Sequence, residues 1–494
     1  MEQYTVKDIS LDGNFTVDIL LSFSLHASIN HHTIVKYRGI IQKDKANKYL
    51  SESVQDKYVR IAIDQSLLFC GIIKTMEILE ESQVFYLEIT AISYSSLMDR
   101  KLCKRSFQNV QMTYRDVFNR VSDEANSLQY SIFCFQGHDT LIGSTLLQYR
   151  ETDWKFALRM ASRLETGVVP NHAMDIPQIS LGIPSGKKYT LQSNEYIIHH
   201  QYSPRFIKSF TSYRFSDKRI FKLGDRIHFQ GMEYLVLKME INLEHGLLQG
   251  YYEMGDEKAV SMPEQWNPCI AGLGLTGTVL AIDADCVKLH LDIDEEQDIE
   301  TAFPFAFLPA TGNGMYLMPQ VGAKAVLEWQ SERDYDAMIT SSWRENGENC
   351  SDLYEYSRRY LTTEHGKRLG MLPEKIFFSG DFGNMTLHDR QGATMKSKRN
   401  IQITAHSGIS FHSQKKICLE TPQKVEISKP HTTSKMVVSG GKADFYSEKI
   451  AVFPIPNSTI MPPISVYRPS DISVDTGLAL ATLGLIPKYG RKLK

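Results

Sequence analysis

The chain has 494 residues, which at about 150 residues per domain predicts roughly three domains. Its 55 Lys and Arg against 57 Asp and Glu leave a formal charge of −2, which excludes a globally basic nucleic-acid coat and a strongly acidic disordered chain. Hydrophobic residues at 42% are enough for real cores, and Gly 31 with Pro 18 excludes collagen-like or low-complexity architecture.

The first hundred residues read as strands. Phe15 to Leu20, Tyr58 to Ile63 and Phe85 to Thr90 alternate or run β-branched between polar turns. Asn30-His31-His32 is a poor metal site, because neighbouring histidines on a strand point to opposite faces. Two helices are predicted next, near 113–128 and 152–166. Thr113 caps the first, whose apolar face is Tyr114, Val117, Phe118, Val121, Ala125 and Leu128. Thr152 caps the second, with Asp153 at its positive end and Gly167 as its stop. Strands resume over about 178–255, so this stretch is α+β in outline.

Pro263 to Pro268 reads as a hinge. Beyond it, about five short strands between 272 and 345 suit a small Greek-key barrel of the OB type. Gly272, Gly274 and Gly277 spell a dinucleotide fingerprint, but a strand rather than a helix follows, so the phosphate-binding helix end is missing. The acidic run from Asp292 to Glu300 lacks the glycine bend and ligand spacing of a calcium loop. Seven scattered cysteines, none spaced as CxxC, suit reduced thiols better than disulfides or zinc. No cofactor, metal or catalytic constellation is expected, and the chain is read as a non-enzyme.

The strongest signal is a repeat of eight. Met385, Ala393, Ile401, Ile409, Ile417 and Val425 form one series, and Leu387, Met395, Ile403, Phe411, Leu419 and Ile427 form the other. Each unit therefore carries two apolar residues on one face of a short strand, followed by polar turn material. Such a ribbon buries nothing by itself and gains stability by stacking and meeting partners. The expected structure is an intertwined, trimeric β-helix or β-prism. Residues 385–432 hold eight Lys and Arg against three Asp and Glu, which suits a solvated shaft. No aromatic platform accompanies that charge, so nucleic acid is not an expected partner.

With these pieces in hand, the chain resembles the VgrG spike proteins of contractile injection systems and the hub and needle proteins of contractile phage tails. Gln148-Tyr149-Arg150-Glu151-Thr152-Asp153-Trp154, with Phe156 and Arg159 behind it, is similar to the family's hallmark helix motif. Asn313 to Gly322 is similar to a stretch of its OB domain, with Met315 where an aromatic is common. Glu364 to Leu369 and Leu387-His388-Asp389 resemble its approach to the β-helix.

The resemblance implies a mainly β chain. A phage-hub-like domain of β-barrels with a helical insert would cover 1–262, and an OB-fold neck 269–345. A linker would fill 346–384, a triple-stranded β-helix 385–430 and a C-terminal tip or extension 431–494. It further implies a homotrimeric spike bound to inner-tube and baseplate proteins, piercing a target-cell envelope and carrying a tip protein or effector. Residues 346–384 are too few for a separate cell-wall hydrolase. The N-terminus lacks the apolar core of a signal peptide, and the apolar run Gly477 to Ile486 is only ten residues where a membrane span needs about 20. Assembly in the bacterial cytoplasm, with delivery by contraction, is the expectation. The rival readings are a phage or bacteriocin tail needle or receptor-binding fibre, and a β-solenoid glycan-degrading tailspike.

Overall fold

The computed structural model describes residues 3–124, 129–191, 195–203, 208–309, 317–343, 355–447 and 473–475. The chain divides into two compact units, 1–354 and 355–494.

Alternating burial builds the first unit. In Ile34–Ile41 the side chains of Val35, Tyr37 and Ile41 are buried while Lys36 is exposed, the period of two that half-buried strands require. Ten strands of this kind lie side by side. Their order is Ile9–Gly13, Tyr58–Ile63, Ser66–Glu81, Val84–Ser93, Ile34–Ile41, Ile19–Ser28, Met232–Glu244, Leu247–Gly255, Lys208–Asp217 and Ile197–Ser203. Two short strands, Lys188–Thr190 and Arg226–Phe229, branch from Met232–Glu244 and complete a sheet of twelve.

The two sequence halves meet where Leu25 faces Ile241 in antiparallel register. Phe23, Leu25, Tyr37, Leu87, Ile89, Met239 and Ile241 form the core beneath this join. Tyr252 seals one end, donating its hydroxyl to the Arg219 carbonyl at 2.8 Å with its ring 4.9 Å from that of Phe221.

The expected barrels are corrected here: the sheets are open, and none closes into a barrel. Closure needs the two end strands to pair with each other. Among the described residues Ile9–Gly13 pairs with Tyr58–Ile63 and Ile197–Ser203 with Lys208–Asp217, leaving each with a free edge.

Three helices accompany the sheet: α1 (Lys43–Leu50), α2 (Tyr114–Asp123) and α3 (Asp153–Arg163). The sequence did not signal α1, whose N-cap Gln42 makes no side-chain cap. The caps of the other two are as read. The Asp116 backbone N–H donates to Thr113 Oγ1 at 3.2 Å, the Thr113 N–H donates back to Asp116 at 2.8 Å, and Thr152 Oγ1 accepts from Lys155 at 3.2 Å. The predicted extension of α2 to Ala125 and Leu128 lies outside the described residues. A second core joins these helices, with Phe107 stacked on Phe156 at 5.8 Å and Phe118 at 5.9 Å from the same ring.

Residues 274–343 form a separate five-stranded sheet, ordered Pro304–Ala306, Cys286–Leu291, Gly274–Asp283, Lys324–Trp329 and Ala337–Trp343. Val279, Val287, Leu289, Leu327, Trp329 and Ile339 fill it. A single parallel bridge, Phe307 to Ile339, links its two edges without closing them into a barrel. Of the motif at 313–322, residues 313–316 lie outside the described residues, and Gly322 takes the left-handed φ of 83° that its turn requires.

In the second unit five antiparallel strands form a meander: Arg359–Thr362, Arg368–Leu372, Lys375–Ser379, Gly383–His388 and Gly392–Ser397. It starts inside the stretch read as a linker, because Leu369, Met371, Ile376 and Phe378 already alternate as strand residues. A four-stranded sheet, Lys424–Ser428, Lys435–Ser439, Lys442–Tyr446 and Ser473–Asp475, follows later. The single chain does not wind the octads into a β-helix: between the two sheets, Ile401 to Leu419 take no regular strand.

Two buried imidazoles in the first unit generate a pH dependence. His32 packs its ring 4.0 Å from Trp154 and shares a 2.8 Å hydrogen bond with Ser95, and His172 is buried with its Nδ1 unpaired. Burial holds both at about 4; the His31 charge adds to this at His32 against Asp99, and Lys222 adds to it at His172. Because the folded value lies below the ordinary 6.5, their contribution is intact above 6.5 and is lost as the pH falls towards 4. Urea midpoints should therefore decline across that window in the native chain and decline less in His32→Gln and His172→Gln. Equal slopes in all three proteins would contradict the assignment.

Candidate functional site: a buried ionic clasp and an uncovered apolar ribbon

The hallmark motif occupies strand Leu146–Thr152 and the start of α3. The strand pairs with Leu102–Phe107, and the register slips so that Cys103 faces Glu151 while Lys104 faces Tyr149. Arg150 is the extra residue, bulged outward with φ of 47°. Without the bulge Glu151 would face away from Gln148. With it, Gln148 and Glu151 are both buried on one side while Arg150 reaches solvent and lies 5.7 Å from the Tyr149 ring.

Glu151 meets α3. Arg159 Nε donates to its Oε1 at 3.0 Å and Nη2 to its Oε2 at 2.8 Å, the bidentate geometry suited to a carboxylate. Arg159 is 1% exposed. Its Nη1 donates to Asp334 Oδ2 at 2.6 Å and its Nη2 also to the Leu147 carbonyl at 2.9 Å. Asp334, 0% exposed, comes from the five-stranded sheet's side of the unit, on the turn before Ala337–Trp343. It pairs with Arg163 as well and accepts the Leu147 backbone N–H at 2.9 Å. Its carbonyl accepts from Thr145 Oγ1 at 3.1 Å and from the Trp329 indole at 3.0 Å.

One guanidinium thus ties the twelve-stranded sheet's helical insert to the small sheet. Burial raises the Glu151 carboxyl, with Arg159 opposing. Burial alone would lower Arg159, but Asp334 and Glu151 together hold it raised, so it stays charged.

Other motif residues fix the clasp in place. Gln148 Nε2 donates to Asp153 at 3.0 Å, Arg105 donates to the same carboxylate at 3.1 Å, and Thr152 donates to Asp99 at 2.5 Å. The Tyr149 carbonyl accepts from Asn267 at 2.9 Å, and Trp154 is buried in the helical core.

A second tie runs in parallel. Asp294, inside the acidic run, accepts the Ser106 backbone N–H at 2.8 Å and its hydroxyl at 2.5 Å. Gln108 donates to the Leu289 carbonyl at 3.1 Å. Burial raises the Asp294 carboxyl against the Ser106 hydrogen bonds. Asp294, Asp334 and Ser106 carried no signal in the sequence, since each sits in what reads as ordinary polar loop or strand. Among the described residues no group of three His, Cys, Asp or Glu side chains is placed to hold a metal ion.

The octad residues make the opposite kind of site. In the meander, Leu361, Leu369, Phe378, Met385 and Met395 stand opposite one another in register, and so do Met371, Ile376, Leu387 and Ala393. One face is therefore continuously apolar. Its members Met385, Leu387 and Met395 are exposed, as are Ile401, Ile403, Ile409, Phe411, Ile417, Leu419 and Ile427 further on, with Phe411 at 69%. Val425 is half-buried. The structure aligns the first two octad pairs directly, as Met385 opposite Met395 and Leu387 opposite Ala393. A contiguous apolar face of this length on a soluble chain marks a surface for another chain.

No family model and no curated protein sequence matches the chain. Solved structures do. A chain of the Francisella PdpA–VgrG complex, in a half-lidded state, superposes with a TM-score of 0.50 at 8% identity, covering 79% of this chain and 88% of that one. A component of the Escherichia coli type VI secretion system, described as similar to bacteriophage T4 tail proteins, gives 0.48 at 13% identity over 67% of this chain and 98% of that one. The 43 kDa tail protein of a Shewanella oneidensis prophage gives 0.40 at 8% identity over 53% and 100%. The fold is that of phage-tail hub proteins. More narrowly, the chain resembles the VgrG-type spikes.

The clasp predicts a specific failure. Asp334→Asn removes a charge from between Arg159 and Arg163 and should cost about 3–5 kcal/mol, as expected when one partner of a buried pair is lost. A calorimetric scan should show the first unit melting earlier, while Glu332→Gln on the same turn changes little.

Proposed function

We propose that three copies of this chain assemble into a non-enzymatic spike, hub plus needle, at the tip of the inner tube of a contractile injection system. The observation that carries this reading is the bare octad face, six pairs in register with most of their members exposed in the single chain. Burying a Leu, Ile or Phe side chain is worth about 1.5–3 kcal/mol, so the octads supply a large drive for association that only identical chains can meet at every level at once. The clasp supports the hub end of the reading, since it joins the broad sheet to the small sheet that would serve as an OB-type neck.

In this reading the first unit binds inner-tube and baseplate proteins, and residues 385–430 wind with two other copies into the shaft. The C-terminal residues carry a tip protein or effector. Assembly takes place in the bacterial cytoplasm, and sheath contraction drives the spike through the target envelope. A phage or bacteriocin tail would use the same hub and needle, and electron micrographs of native particles tell these machines apart by what the tube is anchored to.

The purified chain should sediment as a trimer at micromolar concentration and resist dissociation by SDS at room temperature. The pair Ile403→Glu and Phe411→Glu should reduce it to a monomer whose first unit keeps its circular dichroism. A native monomer at micromolar concentration would end the proposal.

A further inference from the structure

The last octad pair does not lie in the meander or in the irregular stretch before it. Val425 and Ile427 sit on strand Lys424–Ser428, the first strand of the four-stranded C-terminal sheet. The chain then reverses twice, through a turn where His431 takes φ of 59° and through Gly440-Gly441, with φ of 55° and 79°, the left-handed pair that a tight hairpin needs. It passes through Lys435–Ser439 and Lys442–Tyr446, and Ser473–Asp475 pairs on the far edge.

Register gives this sheet two unlike faces. Ile427 stands opposite Met436, which stands opposite Phe445, and Val425 stands opposite Val438, which stands opposite Ala443. These six share one face. Lys424, Glu426, Lys435, Asp444 and Tyr446, with Val437 among them, share the other. There Lys424 pairs with Glu426 at 2.6 Å and Lys435 lies 4.9 Å from the Tyr446 ring, so the polar face is partnered within the chain. The apolar face is the one left to be covered, with Ile427 57% exposed.

We propose that this sheet closes the end of the shaft by packing its apolar face against the same face of the other copies of the chain. The inference rests on the trimeric reading and extends it. The argument for that occupant is continuity. Val425 and Ile427 fall in the same eight-residue register as Met385 and Leu387, so the winding that turns Ile401, Ile409 and Ile417 towards partner chains turns Val425 towards them too. Met436, Val438 and Phe445 widen that stripe from two residues to a sheet face. The repeat then has no open last level, because three amphipathic sheets meet at the axis and present their charged faces to water.

The test uses the full chain with the exposed Cys269 and Cys418 replaced by Ser. Ile427→Cys and Val438→Cys on the apolar face, and Glu426→Cys on the polar face, are oxidised with copper phenanthroline and run on non-reducing gels beside the parent. Disulfide-linked dimers from both apolar-face variants, at several times the Glu426→Cys yield, are the expected result. A trimer by sedimentation in which the three variants cross-link equally or not at all overturns the cap while leaving the spike reading intact, and assigns the face to a tip protein or to residues 477–486. A monomer by sedimentation removes both.

Discussion

The first unit turns on one guanidinium. Arg159 is almost wholly buried, and a buried cation is tolerable only when fully paired. Its partners come from different places: Glu151 from the strand just before its own helix, Asp334 from a turn 175 residues further on, and the Leu147 carbonyl from the strand between them. Folding the helical insert without the small sheet would leave Arg159 half-paired. Folding the small sheet alone would leave Asp334 as a buried anion with no cation. The two parts must therefore form together and in one relative orientation, which a purely apolar contact would not fix so sharply.

The two units solve the problem of apolar surface in opposite ways. In the first, three clusters take up the large side chains within a single chain. In the second, regularity prevents that. A strict eight-residue repeat places its apolar pairs on one side of a ribbon about one residue thick, and no other element of the described chain lies over most of them. The charges around the ribbon do not change the balance, because exposed ion pairs such as Lys367 with Asp381 contribute at most about 1 kcal/mol. The imbalance between a bare apolar face and a modest polar one is the physical content of the proposed trimer.

Much of this was legible in the sequence, and the misses have definite causes. Caps at Thr113 and Thr152 are local chemistry, written in adjacent residues, and they stand as read. The octad pattern was legible because a repeat survives whatever the rest of the chain does. The clasp was half legible: Glu151 and Arg159 lie eight residues apart in a recognisable motif, but Asp334 is a long-range partner in a polar turn indistinguishable from any other. The open sheet in place of barrels was not legible, since alternation reports which face of a strand is buried and says nothing about which strands end the sheet. The bulge at Arg150 belongs to the same class, because a single left-handed residue shifts register without altering composition.

The ionic clasp and the apolar ribbon also differ in what they resist. Burial of well-paired charges adds little net stability over a hydrophobic isostere, and losing either partner costs several kcal/mol. An interaction of that kind is weak as a source of stability and strong as a constraint on geometry. Its place is where direction matters, at the join between a broad sheet and a narrow one, and a small rotation there would separate Arg159 from one carboxylate before releasing the other. The ribbon behaves in the converse way: dispersion and desolvation are insensitive to small slips along one level, but six levels in register make a slip of one residue turn every apolar pair to water at once. A spike pushed along its axis needs both properties, a joint that holds its angle and a shaft that holds its register, and the sequence places each in the unit whose chemistry can supply it.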